Sequence, residues 1–306
     1  MDKVQQQFTR KRNVIFFALL CTVLWGSAYP GVKIGYELFG LVNANVGSKL
    51  LFAGYRFAVA GLLILIICCA MEKQLVRPRR EDWKGILQLG FMQTFLQYFF
   101  YYIGLSHTSG SKGAIVYATG TFMSVIFAHF FYKNDKMNVA KVVGCIIGFI
   151  GIVVINLGNG IEGRISFAGE GMLFIGATVF AFSSLLSKHI SKGQNPMTLT
   201  AYQMLFGGVG LVVLGTLLGG SIATINTAAI MMFLYLAGLS SIAFTIWTLL
   251  LKYNSVSKIS IYNALMPIFG AVLSGIFLGD DIWSMKTIVA AVCVSMGIYI
   301  VNWENK

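Results

Sequence analysis

Ten stretches of predominantly apolar residues recur along this chain, at 14–34, 48–70, 84–104, 112–132, 139–157, 167–189, 197–218, 228–251, 258–278 and 285–303. An α-helix rises about 1.5 Å per residue, so about 20 such residues cross the roughly 30 Å hydrocarbon core of a bilayer. The runs are continuous, not the alternating ten-residue segments of an outer-membrane barrel. A soluble domain of 306 residues has no core large enough for a chain that is 57% hydrophobic and 11% charged. The same balance excludes a disordered chain. The expected fold class is an all-α integral membrane protein with ten transmembrane helices.

The net charge of +12 fits this reading and not a nucleic-acid partner. Seventeen of the 23 Lys and Arg fall on one set of span flanks and five on the other, with Arg56 inside a span. Basic residues collect on the cytoplasmic side, so both termini are expected in the cytoplasm and the chain in the inner (plasma) membrane. Arg10, Lys11 and Arg12 followed by the apolar run from Val14 resemble a signal peptide. That run continues past Trp25 and is needed to complete the repeat described next, so it is read as a retained first helix.

Laid on each other without gaps, residues 105–157 and 251–303 share 12 identities in 53 positions. Ser109, Ser111 and Lys112 meet Ser255, Ser257 and Lys258; Asp135 meets Asp281, and Asn156 meets Asn302. Tyr55-Arg56 falls on Tyr202-Gln203 in a looser match of the earlier helices. Two five-helix units are expected, 14–157 and 167–303. Five is odd, so the second unit enters from the opposite side, giving an inverted repeat. In secondary transporters of this construction the substrate sits near the midplane between the halves.

Polar side chains are costly in hydrocarbon and turn inward, so their helical spacing marks an interior face. Gln93, Gln97 and Tyr101 recur at four-residue intervals on the third span; Tyr117, Thr121 and Ser124 share a face of the fourth. Trp25 and Tyr29 on the first span, Tyr202 and Gln203 on the seventh, Trp247 on the eighth and Asn263 on the ninth add rings and amides. Such a cavity orients a polar or zwitterionic ligand through amides and hydroxyls and holds an apolar group or cation against rings. The competing reading for the small hydroxyls is helix–helix hydrogen bonding. For Tyr29, Tyr98, Tyr102 and Trp283 it is the interfacial aromatic belt. Arg56, some 12 Å past the expected outer edge, is a candidate carboxylate receptor or gate, with a structural role as its alternative. Pro30 and Pro267 are candidate hinges, because proline removes a helical hydrogen bond. Gly144, Gly148 and Gly151, and likewise Gly207, Gly208 and Gly210, form small-residue faces for close helix packing.

The runs LLCTVLWGSAYPGVKIG (19–35), YRFAVAGLLIL (55–65), YIGLSHTSGSKGAIVYATGTFMSVIFAHFF (102–131), KVVGCIIGFIGIVVI (141–155) and YNALMPIFGAVLSGIFLGDD (262–281) resemble the drug/metabolite transporter superfamily. They are similar to its ten-helix EamA-type exporters over nearly the whole chain. The resemblance implies an exporter of amino acids or other small metabolites with a central cavity between the halves. The chain departs from the family at Thr121, where proline is frequent, and at Asn134-Asp135, where Gly-Glu often closes the helix.

The leading expectation is therefore secondary export of small metabolites, amino acids or their analogues above all, by alternating access. A carrier for quaternary amines, drugs or nucleotide-linked sugars is the alternative within transport, and a non-transporting receptor or scaffold the alternative outside it. Every acidic residue falls in a loop or at a span end, so proton coupling through a buried acid has no obvious carrier, and facilitated exchange is the simpler expectation. The five cysteines lie singly or adjacent inside apolar runs, without a C-x-x-C pair, so neither disulfides nor a metal site is expected. No cofactor is expected; there is no phosphate-binding loop, so ATP-driven pumping is not expected, and Gly158–Gly163 matches G-x-G-x-x-G without a βαβ context. The partners expected are a small-molecule substrate and the lipid bilayer, with a monomer the simplest state. No intramembrane enzyme is indicated, because no nucleophile–base pair occurs in the spans.

Overall fold

The structure, a computed structural model, describes residues 3–108, 110–156, 165–222, 224–278 and 285–303. Among them every regular element is helical. In chain order these are α1 (Lys3–Thr9), α2 (Lys11–Leu38), α3 (Val46–Glu72), α4 (Trp83–Leu89), α5 (Gln97–Ser106), α6 (Gly110–Phe131) and α7 (Val139–Asn156). Then come α8 (Met172–Ser191), α9 (Pro196–Leu217), α10 (Thr227–Tyr253), α11 (Val256–Ser260), α12 (Met266–Leu278) and α13 (Met285–Val301). A π-helical segment, Gly90–Leu96, joins α4 to α5, and a second, Phe167–Gly171, leads into α8. The 3₁₀ segment Ile261–Leu265 joins α11 to α12. The G-x-G-x-x-G run, Arg164, Asp280, Asp281 and Trp283 lie outside the described residues.

Eight of these helical stretches are long and apolar enough to cross a membrane. The two other expected spans differ for local reasons. Trp83–Ser106 is divided by its π segment, and Met285–Val301 has 17 residues. Helix starts are chemically marked. Asn45 accepts a hydrogen bond from the Ser48 N–H at 2.8 Å, Asn226 from Ala229 N–H at 2.8 Å, and Asn195 from Met197 N–H at 2.9 Å, just ahead of Pro196. These caps satisfy N–H groups that the helix itself leaves free. The outward faces carry large apolar side chains such as Ile66, Phe130 and Leu217, as a lipid-facing surface requires.

Glycine sets the closest crossings. A Cβ on Gly54 of α3 would stand 2.6 Å from the Val212 nitrogen of α9, and one on Gly208 would stand 2.5 Å from the Ala58 nitrogen of α3. The same reciprocity holds between α7 and α13, where Gly144 and Gly297 each face the other's carbonyl oxygen, at 2.7 and 2.6 Å from the added Cβ. No larger residue fits there without separating the backbones. Gly148 is roomier, with its nearest neighbour, Phe122, at 3.7 Å.

One end of the bundle is tied shut. Asp135, in the α6–α7 connection, accepts from Lys141 Nζ at 2.7 Å and from the Ser257 N–H of α11 at 3.0 Å, and the Ser257 hydroxyl also donates to it. Asn254 at the end of α10 donates to the Phe8 carbonyl of α1 at 2.8 Å and accepts from Lys188. Tyr132 donates to the Leu185 carbonyl at 2.9 Å. Beneath these bonds Phe8, Leu250, Leu251, Val256 and Ile259 form one continuous buried cluster.

Candidate functional site

Towards the opposite end the helices part around a cavity of about 310 Å³. This is the lower range of pockets for small organic ligands. It is lined by α2, α3, the first π segment, α5, α6, α8, α10, the 3₁₀ segment and α12.

On α2, Trp25, Tyr29, Lys33 and Tyr36 face it. Their spacing of three or four residues is one helical stripe. Pro30 is buried beside this stripe, and the helix continues through it from Lys11 to Leu38. On α3, Arg56 reaches the cavity with 5% of its surface exposed. Its guanidinium carbon lies 4.4 Å from the Phe57 ring centroid, and its Nε has no hydrogen-bond partner among the described residues. Among the described residues no Asp, Glu or His lines the cavity.

Gln93 and Gln97 line it from the π segment and the start of α5, and they are 2% and 4% exposed. The Gln97 amide donates to the Tyr117 hydroxyl at 2.8 Å, while the carbonyl oxygens of both glutamines lack partners among the described residues. A π turn adds a residue to the helical register, a feature frequent at functional sites. Here Gly90 lets the segment approach α9, where an added Cβ would meet the Gln203 carbonyl at 2.7 Å.

The aromatic wall is continuous. Tyr101 and Tyr117 pack edge to face at 4.8 Å, and Trp25 packs in the same way on Trp247 at 5.1 Å and on Phe244 at 5.3 Å. At the closed end lie Trp247 and Asn263, with Met266 and Pro267 beside them. Pro267 stands at the second residue of α12, directly after the 3₁₀ segment.

Nine of the residues expected to bind substrate therefore come together: Trp25, Tyr29, Arg56, Gln93, Gln97, Tyr101, Tyr117, Trp247 and Asn263. Tyr202 and Gln203 are placed elsewhere. Tyr202 donates to the Val76 carbonyl at 3.0 Å and packs on Trp83, and Gln203 accepts from Thr94 at 2.8 Å. Sequence reasoning missed Tyr36, Lys33, Phe180 and Phe244 as lining residues. The first two had a legible signal, since they continue the Trp25–Tyr29 stripe. Tyr98 and Tyr102, weighed as belt residues, also line the cavity.

A helical membrane bundle around a cavity of this size is the architecture of a multi-pass transporter. The EamA-like transporter family model matches residues 12–157 and 167–303, and the chain belongs to that family, within the drug/metabolite transporter superfamily. It is 26% identical over 304 residues to the uncharacterized transporter YvbV of Bacillus subtilis, covering 98% of this chain and 95% of that one. It is 27% identical over 294 residues to the uncharacterized inner membrane transporter YedA of Escherichia coli, covering 91% and 89%. The WAT1-related protein At3g02690, chloroplastic, of Arabidopsis thaliana is 21% identical over 92% of this chain and 67% of its own length. One crystal structure shares the fold with a TM-score of 0.79 over 96% of this chain and 97% of that one, at 17% identity.

Proposed function

We propose that this transporter exports small carboxylate-bearing metabolites, amino acids and their analogues above all, across the inner (plasma) membrane without ATP. Substrate binds in the central cavity and crosses by alternating access between two inverted five-helix halves. Ten spans, with both termini in the cytoplasm, complete the arrangement. The reciprocal glycine crossings of α3 with α9 and of α7 with α13 support this symmetry, because they pair helices that correspond in the two halves.

The observation that carries the substrate class is Arg56. It is a cation inside the bundle, facing a cavity to which no described residue brings a carboxylate. A charge in a low-dielectric site needs an opposite charge, and a substrate carboxylate supplies one. The unpaired Gln93 and Gln97 carbonyls offer acceptors to an ammonium group, and the Tyr101–Tyr117 pair offers ring faces. The Trp25–Trp247 pair gives quaternary amines a second reading, opposed by Arg56 and Lys33 in the same lining. Buried acids, Asp135 and Glu170, stand at helix ends rather than in the cavity, which supports facilitated exchange.

Counterflow in proteoliposomes tests this reading with a panel of amino acids, quaternary amines and nucleotide sugars, with and without a pH gradient. Saturable exchange of amino acids without the gradient is the expected result. Exchange of quaternary amines alone overturns the substrate class, and flux that requires the gradient overturns the facilitative mechanism.

A further inference from the structure

Two polar groups at the closed end of the cavity have no partner among the described residues. Asn263 is 5% exposed, yet neither its Nδ2 nor its Oδ1 makes a hydrogen bond. The Trp247 indole is 1% exposed, and its Nε1 is also unpaired. Buried amides and indoles are ordinarily satisfied, because burial removes the water that would otherwise bond them. Asn263 faces this cavity from the 3₁₀ segment, whose other four residues, Ile261, Tyr262, Ala264 and Leu265, are buried outside it. The segment is thus anchored on its remaining sides and presents one amide. Trp25, Met266 and Pro267 in the same lining offer rings, a thioether and a proline that has no N–H.

We infer that Asn263, with Trp247, determines specificity by reading a group that both donates and accepts hydrogen bonds at the substrate's end remote from its carboxylate. A primary amide or a hydroxyl has this character. The inference rests on the carboxylate reading at Arg56 and deepens it. An amide tail accepts from the Trp247 N–H or the Asn263 amide and donates to the Asn263 carbonyl. A hydrocarbon tail of equal size displaces water and leaves all three atoms desolvated and unpaired. A site built to bond a polar group rejects the analogue that lacks it far more strongly than an apolar pocket rejects an extra methylene.

Near-isosteric substrate pairs test this in proteoliposomes: asparagine against leucine, and threonine against valine. For the wild-type protein the half-saturation concentration of the polar member is expected about tenfold or more below that of its apolar partner. In Asn263→Leu that ratio is expected to collapse to near one. In Asn263→Ser, which keeps one donor and acceptor, it is expected to be intermediate. Size-exclusion elution and melting temperature in detergent establish that each variant is folded, and the ratio is read within each protein. Equal handling of both pairs by the wild type, as when ordered water satisfies Asn263, overturns the inference and leaves the carboxylate reading standing. So does a ratio unchanged in Asn263→Leu. No exchange of any of the four overturns both.

Discussion

The Thr94 hydroxyl donates a 2.8 Å hydrogen bond to the Gln203 side-chain oxygen, inside the crossing of the first π segment with α9. Both residues are buried, at 0% and 1% exposure. Gln203 corresponds to Arg56 in the sequence repeat, and the two have opposite fates. The Gln203 oxygen is paired within the protein, whereas Arg56 faces the cavity with its Nε unpaired among the described residues. Thr94→Val leaves the Gln203 oxygen unpaired, and the expected loss of stability is about 1–3 kcal/mol. The double variant Thr94→Val with Gln203→Leu recovers most of it, since no orphaned group remains. Melting in detergent measures both, with half-saturation for transport expected unchanged in the single variant.

Arg56→Gln separates binding from scaffolding. A charged hydrogen bond contributes about 1.5–3 kcal/mol, so half-saturation for a carboxylate substrate is expected to rise roughly 10- to 150-fold. The corresponding amide or ester of that substrate is expected to lose much less. Equal loss for both assigns Arg56 a gating or structural role.

Gln97→Ala removes the 2.8 Å bond to Tyr117 and one cavity amide. A substrate hydrogen bond to that amide has a net value of about 1 kcal/mol, so half-saturation is expected to rise about fivefold while the yield of folded protein holds. Unchanged kinetics remove the Gln93–Gln97–Tyr101 stripe from the binding surface.

The Asp135–Lys141 pair predicts a stability effect at the closed end. The two side chains are 4% and 9% exposed and 2.7 Å apart. Asp135→Ala leaves the Lys141 ammonium buried and also frees the Ser257 N–H. Breaking a buried pair on one side costs about 3–5 kcal/mol. The melting temperature in detergent is expected to drop sharply, and Asp135→Ala with Lys141→Met to recover part of the loss. A single variant as stable as the parent sinks this account of the closure.

The membrane class and the helical architecture were legible in the sequence because both depend on local quantities. The length of an apolar run, the absence of alternation and the side on which Lys and Arg accumulate are read residue by residue. The polar stripe Gln93–Gln97–Tyr101 was legible for the same reason, since its four-residue spacing is a property of one helix. The division of the third expected span by a π turn was not, because it answers to the approach of Gly90 on α9, a neighbour distant in the chain.

Whether a polar side chain meets the cavity or another helix is decided by how each helix is rotated against its neighbours. Tyr202 and Gln203 have the composition of site residues, but the Tyr202 hydroxyl is bonded to Val76 and the Gln203 oxygen to Thr94. Tyr98 and Tyr102 have the composition of belt residues and line the cavity. The sequence by itself determined a helical membrane protein with an aromatic and amide-bearing interior. Only the tertiary structure decided which of those groups remain unpaired, since a hydrogen bond is a relation between two atoms that the chain order does not bring together.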